Sequence, residues 1–137
     1  MNSWLRGAIA VIAGFVVWFA VATLGNLIIR GLLPGYTEVE ESMDFSLTMM
    51  IARLVLGAVA SVVAGLACAA MTQGPRWPLY LFGLLMLLMF IPVHAGLWTT
   101  FPLWYHLIFL GTLLPLIVLG GYLVKSKPII NDTAQEQ

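Results

Sequence analysis

Four long apolar runs constrain the fold of this chain more than any other feature. They cover residues 7–29, 47–71, 78–97 and 102–124. Each run has about the 20 residues that an α-helix needs to cross the hydrocarbon core of a bilayer. Backbone groups in lipid must be satisfied internally, and the alternating pattern of a transmembrane barrel strand is absent. We therefore predict an all-α integral membrane four-helix bundle that forms a single transmembrane domain over residues 1–137.

Composition identifies the solvent of this domain. Hydrophobic residues make up 61% of the chain and charged residues only 9%, whereas a soluble domain carries about 25% charged residues. Too few polar side chains are present to cover a globular surface in water. We therefore expect the lipid bilayer to be the main partner of this domain. The net charge is zero, which gives no basic field for nucleic acid. A single cysteine, Cys68, excludes a disulfide framework and a cysteine-based zinc site.

Basic residues indicate the orientation of the bundle, because Lys and Arg concentrate on the cytoplasmic side. With four spans, the basic residues on the side of the termini are Arg6, Arg76, Lys125 and Lys127. Arg30 and Arg53 fall on the opposite side. We therefore predict cytoplasmic termini, an acidic outer loop over residues 30–46, and a multi-pass protein of the cell membrane, of the bacterial inner-membrane type. The polar segment 126–137 is predicted to be a disordered tail.

The first run also imitates a secretory signal peptide. A basic residue, Arg6, precedes an apolar stretch that contains the small-residue pattern Ala20-Val21-Ala22. The apolar sequence continues to Ile29, which is longer than the core of an ordinary signal. This length favours a retained span over a cleaved one.

Polar and ionisable residues within the spans gather in the outer half of the predicted bundle. We predict that, together with residues of the adjoining loop, they line an outward-facing polar pocket, with seven candidate ligand-binding residues: Asn26, Arg30, Glu41, Asp44, Arg53, His94 and His106. A charge inside a membrane bundle needs a partner, and the loop acids Glu41 and Asp44 are the nearest candidates for Arg53. At mid-depth, the indole N–H of Trp18 also needs an acceptor.

The two histidines suggest an alternative chemistry. His94 and His106 lie six residues on either side of Thr100, so an antiparallel hairpin of helices would hold them at similar depth. Imidazole is the commonest metal ligand, and this placement allows a metal or haem site. A closed zinc site requires about four ligands, and two histidines supply only half. We therefore expect no cofactor, with the histidines hydrogen-bonded to loop carbonyls or lipid head groups.

Small residues recur every fourth position on the second span after Arg53. They are Gly57, Ser61, Gly65 and Ala69, a pattern that allows close helix packing in bilayers. This stripe and the lack of a complete catalytic set favour a non-enzymatic structural protein that binds lipid, a membrane-protein partner or a second copy of itself. The alternatives are an enzyme or a metal or haem protein that uses the histidines, and a small dimeric transporter.

Overall fold

The computed structural model describes residues 1–125, which contain five helices and no strand. These helices are α1 (Ser3–Leu32), α2 (Tyr36–Val39), α3 (Leu47–Thr72), α4 (Trp77–Gly96) and α5 (Leu103–Tyr122). All except α2 are long and apolar enough to cross a membrane. The predicted all-α four-helix bundle is therefore confirmed, with the composition of a multi-pass membrane protein. The predicted disordered tail, 126–137, lies outside the described residues.

Side-chain capping explains where two of the long helices, α1 and α3, begin. The Asn2 side chain accepts a hydrogen bond from the backbone N–H of Trp4, so α1 starts before its predicted first residue. The Ser46 hydroxyl caps α3 in the same way, by accepting from the N–H of Met49. Between these helices the predicted acidic loop contains a short helix, α2, which follows Gly35 in a left-handed conformation with φ of 80°. Local turn chemistry therefore orders part of this loop.

The four long helices form a ring in the order α1, α3, α5, α4. Helix α3 packs against both α1 and α5, and α4 completes the ring between α5 and α1. The core is apolar and lies at the centre of this ring, where its most buried members are Ala10, Ala60, Ala64, Cys68, Phe82, Met86 and Ile117. We call the end that carries α2 the α2 end, and the opposite end the terminal end.

Helices α3 and α5 approach each other closely through reciprocal glycine contacts. A side chain at Gly65 would overlap the carbonyl oxygen of Ile117, and one at Gly120 would overlap the carbonyl oxygen of Val62. Gly57 is also buried and lies beside the ring of Phe109. The glycines therefore bring the two backbones into contact.

The other two residues of the small-residue stripe on α3, Ser61 and Ala69, also face the interior of the bundle. The side chain of Ser61 is 1% exposed, and Ala69 is half-buried. The Trp18 Nε1–H donates to the Ser61 hydroxyl at 3.1 Å, and this hydroxyl donates to the Gly57 carbonyl at 2.7 Å. The stripe thus packs helices within one chain and supplies the acceptor that the Trp18 indole needs.

The terminal end is closed by aromatic and polar contacts. The rings of Trp4 and Trp77 lie 4.9 Å apart and join α1 to α4. Arg76 donates to the Gly121 carbonyl at 2.9 Å, near the last turn of α5, and its guanidinium lies 4.2 Å from the centre of the Tyr122 ring. A cation at the C-terminus of a helix also interacts favourably with the helix dipole. These contacts join α1, α4 and α5 at this end.

We expect Gly120→Ala to destabilise the bundle by about 1–3 kcal/mol, because the added methyl group forces α5 away from α3. Gly111→Ala is the matched control, since a side chain at this position of α5 meets no atom within 4 Å. Thermal unfolding in detergent, followed by circular dichroism, measures both changes. Equal melting temperatures for the two variants would contradict the backbone contact.

Candidate functional site

Helices α1 and α4 are in contact over one half of the bundle only. This contact extends from the rings of Trp4 and Trp77 at the terminal end to the rings of Trp18 and Phe90, which lie 5.0 Å apart. Beyond this pair, the facing parts of α1 and α4 line a cavity of about 380 Å³. The candidate site is therefore a cleft in the α2 half of the bundle.

The cavity has both a polar and an apolar lining. Its polar residues are Thr23, Asn26, Arg30, Arg53, His94 and Tyr105. Its main apolar residues are Trp18, Leu27, Leu56, Phe90, Val93 and Phe109. Along α1 and α3 the charged lining residues, Arg30 and Arg53, lie nearer the α2 end than the apolar lining residues of the same helix, so the cavity is more polar near that end than towards mid-depth.

Arg53 is held by a tyrosine of the loop. Its Nη1 donates to the Tyr36 hydroxyl at 2.8 Å, and this hydroxyl donates to Asn26 Oδ1 at 2.8 Å. The guanidinium also lies 4.7 Å from the centre of the Phe45 ring, which is within the range of a cation–π interaction. Tyr36 is fully buried, so α2 fixes the cation of α3 against α1.

A second polar contact connects the end of α1 to the loop. Glu40 Oε1 accepts from Arg30 Nε at 2.8 Å and from Asn26 Nδ2 at 3.2 Å. The hydrogen bond from Arg30 is the main reason why the pKa of Glu40 lies below its ordinary value, and the hydrogen bond from Asn26 acts in the same direction. Asn26 therefore joins this ion pair to the Tyr36–Arg53 pair.

The two acids expected beside Arg53 lie elsewhere. Glu41 and Asp44 are exposed and form no ion pair within residues 1–125. The loop instead turns Glu40 towards α1, and Arg53 is paired with the Tyr36 hydroxyl. The predicted pairing is thus wrong, because the orientation of α2 and a left-handed Met43 with φ of 60° determine which loop residues face the helices.

The histidines meet at the cavity wall. His94 Nδ1 and His106 Nδ1 lie 2.7 Å apart, and both side chains are buried. The Tyr105 ring stacks against His94 at 6.1 Å and the Trp98 ring against His106 at 5.0 Å. His94 lines the cavity, whereas His106 does not line it and contacts His94. The two rings therefore converge on each other, rather than on loop carbonyls.

This histidine pair does not have the form of a metal site. The facing Nδ1 atoms are within hydrogen-bonding distance, closer than two nitrogens that each lie about 2.0–2.1 Å from one tetrahedral zinc ion. Residues 1–125 contain no group of three or more His, Cys, Asp or Glu side chains suited to a metal ion. Haem would also require a gap between the two rings. The donor set fits a hydrogen bond better than coordination.

Four of the seven predicted pocket residues share the cavity, and His106 contacts it through His94. Sequence reasoning missed Tyr36, Phe45 and Tyr105, which surround Arg53. An aromatic residue near a membrane interface is usually an interfacial anchor, so nothing local distinguishes Tyr36 as a ligand of the arginine. Only the folded loop brings it there.

We expect Tyr36→Phe to destabilise the protein by about 1–3 kcal/mol, because the arginine donor and the asparagine acceptor both lose their buried partner. Tyr122→Phe is the control, since it removes a hydroxyl that only bonds the exposed Tyr80 hydroxyl. Unfolding by sodium dodecyl sulfate in mixed micelles measures both variants. A loss no larger than in the control would count against the network.

The ion pair predicts a pH dependence at the α2 end. A carboxyl with a lowered pKa contributes stability above its ordinary pKa, and that stability is lost as the pH falls through the lowered value. In Arg30→Gln we expect the pKa of Glu40 to rise towards its ordinary value, while Arg6→Gln, at the terminal end, leaves it unchanged. Carboxyl carbon NMR shifts over an acid titration measure this. An unaltered titration in Arg30→Gln would refute the assignment.

Comparison with known proteins gives no relative on which to base a function. The chain matches no family model, no curated protein and no solved structure at a significant level.

Proposed function

We propose that this is a non-enzymatic membrane protein that binds an anionic amphiphile in the cavity between α1 and α4. The observation that carries the proposal is that Arg53, on the cavity wall, has no carboxylate partner among residues 1–125. The ion pair in this part of the chain joins Arg30 to Glu40, and Arg53 Nε is buried without a hydrogen-bond partner. A charge inside a membrane protein is costly unless it is paired. An anionic head group would supply the missing partner.

The shape of the cavity supports an amphiphile as the ligand. Small-molecule pockets measure about 300–1,000 Å³, and this one measures about 380 Å³. Trp18, Phe90 and Phe109 give it an apolar part that suits a segment of hydrocarbon chain. The head group would lie near Arg53 and His94, and the chain would extend towards mid-depth.

Entry from the bilayer is supported by the residues on either side of the cleft. Leu27 on α1 is 53% exposed and Val93 on α4 is 47% exposed, and both line the cavity. Exposed apolar side chains at this depth face lipid. A lipid can therefore enter sideways between the two helices, without leaving the membrane.

We place the α2 end on the non-cytoplasmic side of the bacterial inner membrane. The positive-inside rule supports this, because Arg6, Arg76 and Lys125 belong to the terminal end. Helical bundles, rather than barrels, are typical of that membrane. The ligand would then come from the outer leaflet.

The same geometry favours binding over the other hypotheses. In the terminal half of the bundle, Gly65 and Gly120 bring two backbones together, which leaves little room for a transport path. The histidines bond to each other, which argues against a metal-dependent enzyme. A cleft of this size between helices also suits a lipid better than a folded partner protein.

We expect the wild-type protein to retain phosphatidylglycerol in neutral detergent in preference to zwitterionic phosphatidylcholine. Arg53→Gln should weaken this binding about tenfold or more, since a hydrogen bond to a charged group contributes about 1.5–3 kcal/mol. Arg6→Gln makes the same charge change at the terminal end and should leave it intact. Native mass spectrometry across a lipid titration measures all three proteins.

Two results would overturn the proposal. One is equal retention of the two lipids by the wild-type protein. The other is equal weakening in the Arg53 and Arg6 variants, which would indicate attraction to the net charge of the protein rather than to the cavity.

A further inference from the structure

We infer that His94 binds the anionic head group directly, that His106 is its positioning residue, and that the site takes up one proton when the anion binds. The inference rests on the proposed function and assigns the histidine pair a part in it. It follows from the contact between the two rings, the position of His94 on the cavity wall and the charges that face it.

The contact between the rings limits how protons can be arranged. Two Nδ1 atoms at 2.7 Å require one hydrogen between them, because two hydrogens would collide and two bare lone pairs would repel. The Nδ1 atom of His94 is therefore committed to His106. Its Nε2 atom is the remaining nitrogen with which His94, a cavity-lining residue, can meet a ligand.

In the neutral pair, the state of that nitrogen depends on which ring donates the shared hydrogen. If His106 donates, His94 carries its own hydrogen on Nε2 and can donate to an anion. If His94 donates, its Nε2 is a bare lone pair, which repels an anion. One additional proton removes this ambiguity, because both Nε2 atoms then carry hydrogen and the pair is a cation. The neutral pair offers a donor to an anion in only one of its two arrangements, whereas the protonated pair always offers one and adds a positive charge, so an anion favours the protonated pair.

The charges around His94 connect this protonation to the ligand. Arg53 on α3 and Arg30 on α1 line the same cavity, together with the uncharged Asn26. Helix α5 contributes Tyr105 and His106, and the neighbours of His94 on α4, Phe90 and Val93, are apolar. The carboxylate of Glu40 is already bonded to Arg30 and Asn26. The two arginines oppose a further positive charge while the cavity is empty, and an anion between them and His94 reverses that effect.

His106 shows a feature that a purely structural pair does not need. It is 1% exposed, and its Nε2 atom is buried without a hydrogen-bond partner within residues 1–125. An unpaired buried polar atom costs about 1–3 kcal/mol, which phenylalanine would avoid among the same aromatic neighbours. We therefore assign His106 the role of accepting the hydrogen bond that protonated His94 donates through its Nδ1 atom.

The test is the affinity for phosphatidylglycerol between pH 5 and 8, measured in neutral detergent with purified full-length protein. The phosphodiester of this probe does not titrate in that range, so any pH dependence belongs to the protein. We expect the affinity of the wild-type protein to rise as the pH falls, with a limiting slope of about tenfold per pH unit for one coupled proton. A pH-indicator dye in weak buffer should show uptake of up to one proton per bound lipid.

Variants separate the two histidines. In His94→Phe we expect residual binding through Arg53 with no slope and no proton uptake. In His106→Phe the slope should persist at a midpoint shifted to lower pH, because the imidazolium of His94 has lost its acceptor. His106→Asn, whose side-chain oxygen can accept that hydrogen, should restore part of the shift and also serves if the phenylalanine variant does not fold. Arg6→Gln is the control and should match the wild-type profile.

The outcomes distinguish this inference from the proposed function. Absence of saturable phosphatidylglycerol binding at every pH would overturn both. Saturable binding that does not vary with pH, or a slope that survives in His94→Phe, would overturn the inference alone. A wild-type midpoint in both His106 variants would remove His106 from its role as the positioning residue.

Discussion

The structure depends on one constraint, which is that hydrocarbon offers no hydrogen bonds. Every polar group within the spans must therefore find its partner in the chain itself. At mid-depth Trp18 finds Ser61, and at the cavity wall His94 finds His106. Arg53 finds the Tyr36 hydroxyl but no carboxylate among the described residues. The other interior polar groups of the bundle are mostly satisfied. The incomplete pairing of Arg53 therefore distinguishes the cavity from the rest of the interior.

The two halves of the bundle meet this constraint differently. Towards the terminal end the interior is apolar, and glycines let α3 and α5 touch, so dispersion forces between closely packed groups provide the stability. Towards the α2 end, polar side chains and a short helix replace that packing, and α1 separates from α4. The terminal half is therefore the closely packed part of the bundle, and the α2 half contains the cavity.

The fold could be predicted from the sequence because a helix needs about 20 apolar residues to cross a bilayer. Four apolar runs of that length therefore indicate four helices. The spacing of the polar residues along the spans placed them towards one end of the bundle, and in the structure Asn26, Arg30, Arg53 and His94 line one cavity. Which loop acid faces the helices was not predictable, since α2 and the turn at Met43 have no periodic signature. Equal depth along a hairpin likewise did not reveal that the rings of the two histidines would face each other, because side-chain direction depends on how α4 and α5 are rotated.

The reciprocal contact of Gly65 with Ile117 and of Gly120 with Val62 also has a mechanical consequence. Two backbones that already touch cannot come closer, and their separation would break these close contacts. Helices α3 and α5 are therefore expected to keep a fixed distance from each other. Any widening of the cleft must then come from α1 and α4, which remain in contact at the terminal end through the tilted pair of Trp4 and Trp77 rings.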